Sequence, residues 1–448
     1  MVAKEDIYDI VIVGAGVSGT ALLYVLSHYT NVEKILLIEK NKDVALVNSD
    51  KKSNSQTLHF GDIETNYSLE KAKAVNRAAS MVENYLLRYD RDCAIYSQYH
   101  KMVLAVGEEQ VKTLKERIEI FKAVFPELRL IGRQEIEEIE PNVLIGRETQ
   151  EEIAALFTPK GYAVDFHALS QSFLDRSVAQ NATKKIDVLM EKKVSKIAKE
   201  GNLFCLQMGE KSVFARTVAV EAGAHSLLFA KSLGYGQHYA LLCVAGSFYF
   251  APEVLRGKVY AVQLKKLPFA AIHGDPEVHN CAKTRFGPTA KVIPLLERHN
   301  YATLGEYFQT AGLRFSAFLS FAKILSDPFF LRYIVKNFIY DLPWIGKQLF
   351  IQEVKKIVPS IQLKDLEFAK GYGGIRPQIV NLKTQKLEMG EAKIIGENIL
   401  FNITPSPGAS TCLQNAFEDT ETLISYLGED YQFNKQQFWE DLGILSLT

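Results

Sequence analysis

Cysteine is scarce in this chain, and what there is does not pair. The five residues, Cys93, Cys205, Cys243, Cys281 and Cys412, are scattered and odd in number. No two have the spacing of a metal-ligand pair. Reduced thiols in a cytosolic protein are expected, with no disulfide framework and no metal site. A surplus of either charge is also missing, since 52 basic residues meet 52 acidic ones. Proteins that grip nucleic acid usually show a basic excess or stripe, so no nucleic-acid partner is expected. Long apolar runs are absent too: none reaches the roughly 18 residues of a membrane-spanning helix. The chain passes from Lys4, Glu5 and Asp6 straight into an apolar strand, so no secretory signal is expected. Repeats and low-complexity tracts are not found. What remains is a globular composition, 47% apolar and 23% charged over 448 residues, with room for two or three domains.

Against that even background one segment stands out, YDIVIVGAGVSGTALLYVL, followed by KILLIE. Ile10 to Val13 are apolar and suit a buried parallel strand. Gly14 allows a tight turn, Gly16 lets backbone approach a pyrophosphate, and Gly19 lets the next helix pack close to the sheet. The helix N-terminus offers free N–H groups and the positive end of its dipole to phosphates. Lys34 to Ile38 form a second strand, and Glu39 follows where an acid can accept ribose hydroxyls. The unit predicts a bound dinucleotide. The motif serves both NAD and FAD.

Further along, residues 68–89 and 109–125 carry apolar positions at three- and four-residue spacing and predict amphipathic helices. GRQEIEEIEP is a short helix stopped by Pro141, and 167–180 is another helix. Short strands are expected at Ile186–Leu189, Lys193–Ala198, Leu203–Met208, Ser212–Phe214 and Thr217–Val220. From about 236 the pattern shifts to longer alternating strands, LLCVAGSFYFAP, GKVYAVQ, FAAIHGDP and TRFGPTA, which suggest a second, mostly antiparallel unit. Residues 303–357 turn helical and aromatic. The chain then returns to strand–turn–helix. The expected fold class is α/β. A discontinuous Rossmann-type cofactor domain (1–90, 151–235 and 365–448) joins a second, substrate-binding domain with a mixed or antiparallel sheet and helices (91–150 and 236–364).

Four places are candidates for chemistry. In NSQTLHFGDIETNY, Asn54, Ser55 and Gln56 can hydrogen-bond phosphate or ring atoms, and His59 is a candidate base; the bland alternative is a solvated loop histidine. In GGIRPQ, two glycines allow close passage to a flat ligand, and Arg376 offers a fork for a carboxylate or else a surface ion pair. TPSPGAST leads into a helix whose N-terminus favours anions, although Pro and Ser also simply start helices. In HGDP and KTRFGPTA, His273, Lys283 and Arg285 could line an anionic pocket. The aromatic stretch around 315–345, with Lys323, Arg332, Lys336 and Lys347 interspersed, fits either a cap on the second domain or a membrane-surface contact.

Taken together, VIVGAGVSG, SNSQTLHFGDIETNYS, EIEPNV, VEAGAHS, VAGSFYF, LPFAAIHGDP, TRFGPTA, GYGGIRPQ and TPSPGASTCLQNA run the length of the chain. They resemble malate:quinone oxidoreductase, a flavoprotein family of the D-amino-acid-oxidase-like superfamily, in the shorter form found in epsilon-proteobacteria. The family pattern of Asn, His, Glu and Asn-Tyr falls on Asn54, His59, Glu64, Asn66 and Tyr67. Longer members differ around Gln56, Thr57 and Leu58. The resemblance implies non-covalent FAD, oxidation of malate to oxaloacetate, and electrons passed to membrane quinone. It also implies a cytoplasmic protein peripheral on the inner face of the membrane. Gly14, Gly16, Gly19, Glu39 and Lys40 are then expected on the ADP half of FAD, Val194 and Gly223 on the adenine side. Ser406, Pro407, Gly408, Ala409, Ser410 and Thr411 are expected by the flavin ring, Arg376 on the substrate carboxylate, and Arg285 or Lys283 on the distal one. His59 or His273 is the expected base. The rival readings are another 2-hydroxy-acid or amino-acid oxidase, an NAD enzyme, and a flavin-binding protein without turnover.

Overall fold

The structure is a computed structural model that describes residues 7–263, 272–311, 323, 326–342, 344–388, 392–404 and 407–443. It opens as expected. β1 (Ile7–Val13), α1 (Val17–Tyr29) and β2 (Lys34–Ile38) form a strand–helix–strand unit, with β1 and β2 parallel and Ile10 opposite Ile35. β1 pairs on its other edge with the strand Lys211–Val220, also in parallel. These strands read as unbroken apolar runs because helices cover one face of the sheet and a second sheet covers the other. On one face α1 and the helices Phe166–Val178 and Cys412–Leu427 bury Leu22, Tyr24, Phe173 and Leu413. On the other, Val11, Leu36 and Val220 share a core with Leu241, Ile375 and Ile379.

Leu241, Ile375 and Ile379 belong to a four-stranded antiparallel sheet, in which Tyr239–Ala245 pairs with Ile375–Asn381. A third, eight-stranded sheet holds Tyr96–Val106, Arg129–Gly132, Ile153–Val164, Tyr249–Pro252, Lys258–Ala261, His273–Glu277, Asn280–Gly287 and Glu367–Phe368. It is mixed, since Lys258–Ala261 runs parallel to Tyr96–Val106 while its other pairings are antiparallel.

Several local expectations change. The run LLCVAGSFYFAP is two strands in two different sheets, because the chain crosses between them at Gly246, where an added Cβ would press on Pro288 at 2.9 Å. Ser212–Phe214 and Thr217–Val220 are one strand whose first half pairs with Leu203–Met208 and whose second half pairs with β1. The strand predicted from Lys193 starts at Lys196. Two long strands, Tyr96–Val106 and Ile153–Val164, have no counterpart in the sequence reading. Lys101 hides the first: it is fully buried, and its ammonium is held 2.8 Å from Asp62. Pairing of Ile153–Val164 with Tyr96–Val106 sets that strand in the third sheet, whereas the sequence grouped 151–235 with the cofactor unit.

The helices Pro328–Tyr340 and Ile345–Val354 pack on the second unit by one face, burying Ile334, Tyr340, Phe350 and Val354. Their other face is also apolar. Leu331, Val335, Phe338 and Leu342, at helical spacing, are exposed, and Trp344 is 87% exposed. The buried face fits the reading as a cap on the second unit; residues 312–322, 324, 325 and 343 lie outside the described residues.

Candidate functional site

A long cavity runs from the N-terminus of α1 to the strand Ile375–Asn381. Its floor at one end is the glycine turn. Gly14 has φ +108°, and a Cβ there would meet the Glu221 carbonyl oxygen at 2.5 Å. A Cβ on Gly19 would run into the Gly14 carbonyl, so this glycine sets how closely α1 lies on the strand without itself lining the cavity. Gly16 caps α1 and faces open space, with Ser49 Oγ at 3.5 Å as its neighbour. Turn, approach and packing are thus divided among the three glycines as the motif requires.

Glu39 lines the same end. Its Oε2 accepts from the Ala15 N–H at 2.8 Å and its Oε1 from the Asn41 backbone N–H at 2.8 Å. A carboxylate offers about four acceptor positions, so room remains for ribose hydroxyls. Lys40 lines the cavity and is ion-paired with Glu297. Val194 and Gly223 line it too, Gly223 with φ +56° and nothing within 4 Å of an added Cβ. An open glycine cradle, a helix N-terminus and a carboxylate at the end of β2 fit a dinucleotide in this position.

The loop after β2 forms one wall. Asn54, Ser55 and His59 line the cavity. Asn54 spends its side chain locally, donating to the carbonyls of Asn48 and Asp50 and accepting from the Gln56 N–H at 2.8 Å. Gln56 does not line the cavity. It is fully buried at φ 53°, and its Oε1 accepts from the Val278 N–H at 3.0 Å, so it ties the loop to the third sheet. His59 is the reactive-looking member. Its Nδ1 lies 2.6 Å from Glu64 Oε1, and its backbone N–H donates to Ser410 Oγ at 2.9 Å. Burial raises the Glu64 pKa, but the hydrogen bond from His59 and its charge outweigh this and bring it to about 2. An ionised Glu64 only accepts, so Nδ1 must carry the hydrogen, and in the neutral ring Nε2 is the position left to act as a base.

The same cavity is lined by Arg376, on the strand Ile375–Asn381. Burial lowers its pKa, while the phenols of Tyr333 and Tyr67 act in the opposite sense. Among the described residues it has no carboxylate partner. A guanidinium kept in a cavity without an anion is a place for one. The glycines before it serve a different purpose from the one expected. A Cβ on Gly373 would collide with the Gly246 carbonyl, and one on Gly374 with the Ser53 carbonyl. The close approach is to the protein's own chain, and it brings Arg376 beside the His59 loop; Asn48 Oδ1 accepts from the Ile375 N–H at 3.1 Å.

Pro407, Gly408, Ala409 and Ser410 line the cavity just ahead of the helix Cys412–Leu427. Thr411, the residue before that helix, is buried and off the cavity, with its hydroxyl donating to the Gly408 carbonyl. Ser406 lies outside the described residues.

The fourth candidate group lies elsewhere. Arg285 is fully buried with Nη2 2.9 Å from Asp275 Oδ2, its guanidinium stacked 4.6 Å from the Phe248 ring centroid and Nη1 donating to the Asn54 carbonyl. Lys258 lies 3.4 Å from the same carboxylate and donates to Thr57 Oγ1. His273 Nε2 is 3.4 Å from Asp275 Oδ1. Neither Arg285 nor His273 lines the cavity, and Lys283 is exposed over Phe250. Sequence proximity suggested a pocket, but Arg285 and His273 are turned onto Asp275 instead, and Arg285 and Lys258 hold the 54–57 loop through the Asn54 carbonyl and Thr57 Oγ1. Asp275 would rise with burial, but Arg285, Lys258 and His273 bring it below the ordinary carboxylate range. It therefore stabilises the fold at neutral pH, and the contribution fades as acid protonates it. Arg285→Met should cost about 3–5 kcal/mol, the typical loss when one partner of a buried pair is removed. Thermal denaturation reads it as a large fall in Tm. A stable variant that has lost turnover would instead make Arg285 a substrate ligand.

Asn48, Ser49, Phe248, Glu221 and Asn402 also line the cavity and were not singled out from sequence. Asn48 and Ser49 belong to the polar stretch after β2, which was a usable signal. Phe248, from the connection before Tyr249–Pro252, and Asn402, from the strand Ile399–Ile403, arrive from distant parts of the chain and carried none.

Comparison with known proteins bears on the same residues. The family model described as malate:quinone oxidoreductase matches residues 6–436. A malate:quinone oxidoreductase of Helicobacter pylori (strain ATCC 700392 / 26695) is 40% identical over 444 residues, 97% of this chain and 98% of that protein. A Campylobacter jejuni protein named "Probable malate:quinone oxidoreductase" is 40% identical over 450 residues, 98% of this chain and 100% of the other. Among solved structures, the L-alpha-glycerophosphate oxidase of Mycoplasma pneumoniae with FAD bound superposes with a TM-score of 0.63 at 16% identity, covering 93% of this chain and 94% of that one.

Proposed function

The chain belongs to the malate:quinone oxidoreductase family, and from that premise we propose how its own residues carry the reaction. It is an FAD-dependent oxidoreductase that converts malate to oxaloacetate and hands two electrons to a membrane quinone. FAD, when bound, supplies the hydride acceptor. Gly14, Gly16, Glu39, Val194 and Gly223 hold its ADP half, and Pro407 to Ser410 face its ring end.

Arg376 binds a malate carboxylate in a two-point grip and so orients the C2 carbon. His59 Nε2 takes the C2 hydroxyl proton, with Glu64 fixing the ring and stabilising the imidazolium that forms. Oxidation of malate to the keto acid removes a proton and a hydride; His59 would take the proton, and bound FAD would supply the acceptor for the hydride. The observation that carries this reading is that Arg376, with no carboxylate partner among the described residues, and a Glu64-anchored His59 line one cavity. Arg285 and Lys283 do not line the cavity and are given no part in it; Tyr67 and Tyr333, which do not line it either, act on Arg376 electrostatically and are assigned to positioning it.

Among the described residues no helix is long and apolar enough to cross a membrane. Contact with the inner face of the cytoplasmic membrane is assigned to the outward stripe Leu331, Val335, Phe338 and Leu342. The helix that bears it turns Tyr333 toward Arg376, so lipid contact and substrate site share one element. In the test, holoenzyme mixed anaerobically with malate loses its flavin absorbance and recovers it on addition of quinone. Bleaching by other hydroxy acids or amino acids but not by malate, or recovery with oxygen alone, would overturn the reading. A Val335→Glu/Phe338→Glu variant should still bleach in solution yet fail to reduce quinone embedded in vesicles.

A further inference from the structure

The Glu64 carboxyl anchors His59, yet little holds that carboxyl itself. Its Oε1 meets the His59 ring, and Oε2 is buried with no hydrogen-bond partner. Among the described residues no side chain other than His59 is hydrogen bonded to it. Where the carboxyl sits is therefore set by its backbone. The first half of the loop from His59 to Tyr67 is fixed at two points. Gly61, at φ +80°, packs so closely on the helix Leu69–Tyr89 that a Cβ would meet the Ala72 carbonyl oxygen at 2.7 Å. Asp62 is paired with the buried Lys101. The second half is held by one side chain from elsewhere. Arg117, on the helix Glu108–Phe121, donates through Nη2 to the Glu64 carbonyl at 2.6 Å. Through Nη1 it donates to the carbonyls of Tyr67 at 3.2 Å and Thr65 at 3.4 Å.

The helix is built to deliver that side chain. Val111, Leu114, Ile118 and Phe121, at three- and four-residue spacing, share a core with Ile63 and Ala72, so the helix is seated on the loop it grips. Arg117 lies one turn before Phe121, and its guanidinium sits 3.6 Å from that ring's centroid, which limits its swing. The Glu64 carbonyl also accepts from the Tyr67 N–H at 3.0 Å, so the turn 64–67 and the guanidinium meet at one oxygen. A planar fork can serve several carbonyls at once, which an ammonium cannot do with the same geometry. We propose that Arg117 is a positioning residue for the reaction: by gripping the backbone at Glu64, Thr65 and Tyr67 it sets the place of the Glu64 carboxyl and, through it, the direction of the His59 ring. The proposal rests on the reading of His59 as the base. Arg117 does not line the cavity, so its effect on turnover passes through Glu64.

The experiment uses the holoenzyme. Arg117→Met keeps an apolar stem beside Phe121 and removes the donors. Its kcat per bound flavin should fall about 10- to 100-fold, the scale of a reacting group displaced by up to ~1 Å. The malate KM and the flavin content should stay near native, because Arg376 and the glycine turn are held by other contacts. Arg117→Lys, with the charge and a single donor head, should recover part of the loss. A merely structural role would not move the His59 ring, so that ring is observed directly. Its nitrogen resonances are recorded by NMR in protein carrying isotope-labelled histidine, without malate, and are assigned by their disappearance in His59→Ala. Glu64→Ala marks where they lie once the anchor is gone, and Arg117→Met should shift them toward that position. Shifted His59 resonances with an unchanged kcat would keep Arg117 as the residue that places Glu64 and would overturn His59 as the base. Native His59 resonances in a folded Arg117→Met protein overturn the proposal, whatever happens to kcat. If Arg117→Met does not fold, Arg117→Lys is read by the same two measurements.

Discussion

Arg376→Ala should lower kcat/KM for malate by about 10²–10³-fold while leaving FAD in place. The loss corresponds to about 3–4 kcal/mol, within the range for removing one member of a buried, hydrogen-bonded charge pair. The argument rests on position and isolation. Arg376 faces the cavity from a strand pinned on both sides, by Tyr239–Ala245 through the backbone ladder and by the His59 loop through Asn48. Its guanidinium has no carboxylate among the described residues to neutralise it, so a bound carboxylate is the group that completes it. Arg376→Lys keeps the charge and loses the planar two-point geometry, so a partial loss is expected. It should fall mainly on kcat if alignment matters more than attraction. Unchanged malate kinetics in Arg376→Ala, with normal flavin content, would remove this residue from the substrate site.

The second large effect concerns His59. His59→Ala should reduce kcat by roughly 10²–10⁴-fold, the usual contribution of a positioned acid–base group. Glu64, with its pKa brought to about 2, stays ionised through the working range and keeps anchoring the ring. The Glu64 shift has its own consequence. Its folded-state pKa lies below the ordinary 4.5, so its stabilising effect is complete above that value and is lost as pH falls toward about 2. Glu64→Gln should give an intermediate loss of kcat, because an amide can satisfy the wrong tautomer. His273→Ala supplies the contrast. That ring is buried over Tyr260 at 4.7 Å and off the cavity, so its removal should lower Tm and spare kcat per folded molecule. If instead His273→Ala abolishes turnover in a stable protein while His59→Ala does not, the base has been assigned to the wrong histidine.

The two histidines also show where sequence reading succeeds and where it stops. Both sit in polar, glycine-bearing stretches and looked alike as candidates. His59 has its anchor five residues away in the same loop, and that spacing was legible. His273 is governed by Asp275, Arg285 and Tyr260, which are local in sequence, yet what matters is the face of the strand they occupy in an eight-stranded sheet. A strand has two faces, and a sequence does not say which one meets the cavity. The same limit explains Lys101: a lysine in an apolar run reads as an exposed position until Asp62 is found beside it.

The glycine turn, the strands beside it and Glu39 could be read directly from the amino-acid order. Their geometry depends on neighbours within about forty residues and on the steric freedom of glycine, which is a property of the residue itself. The GGIRP segment was legible as special, but for an incomplete reason. Its glycines admit the chain's own carbonyls from residues 246 and 53, contacts across long sequence separations that no local rule contains. Packing likewise separated Arg376, turned toward the cavity without a counter-ion, from Arg285, turned into the protein against Asp275. Charge and residue type are the same in both, and the distinction comes from which carboxylate the fold brings within reach.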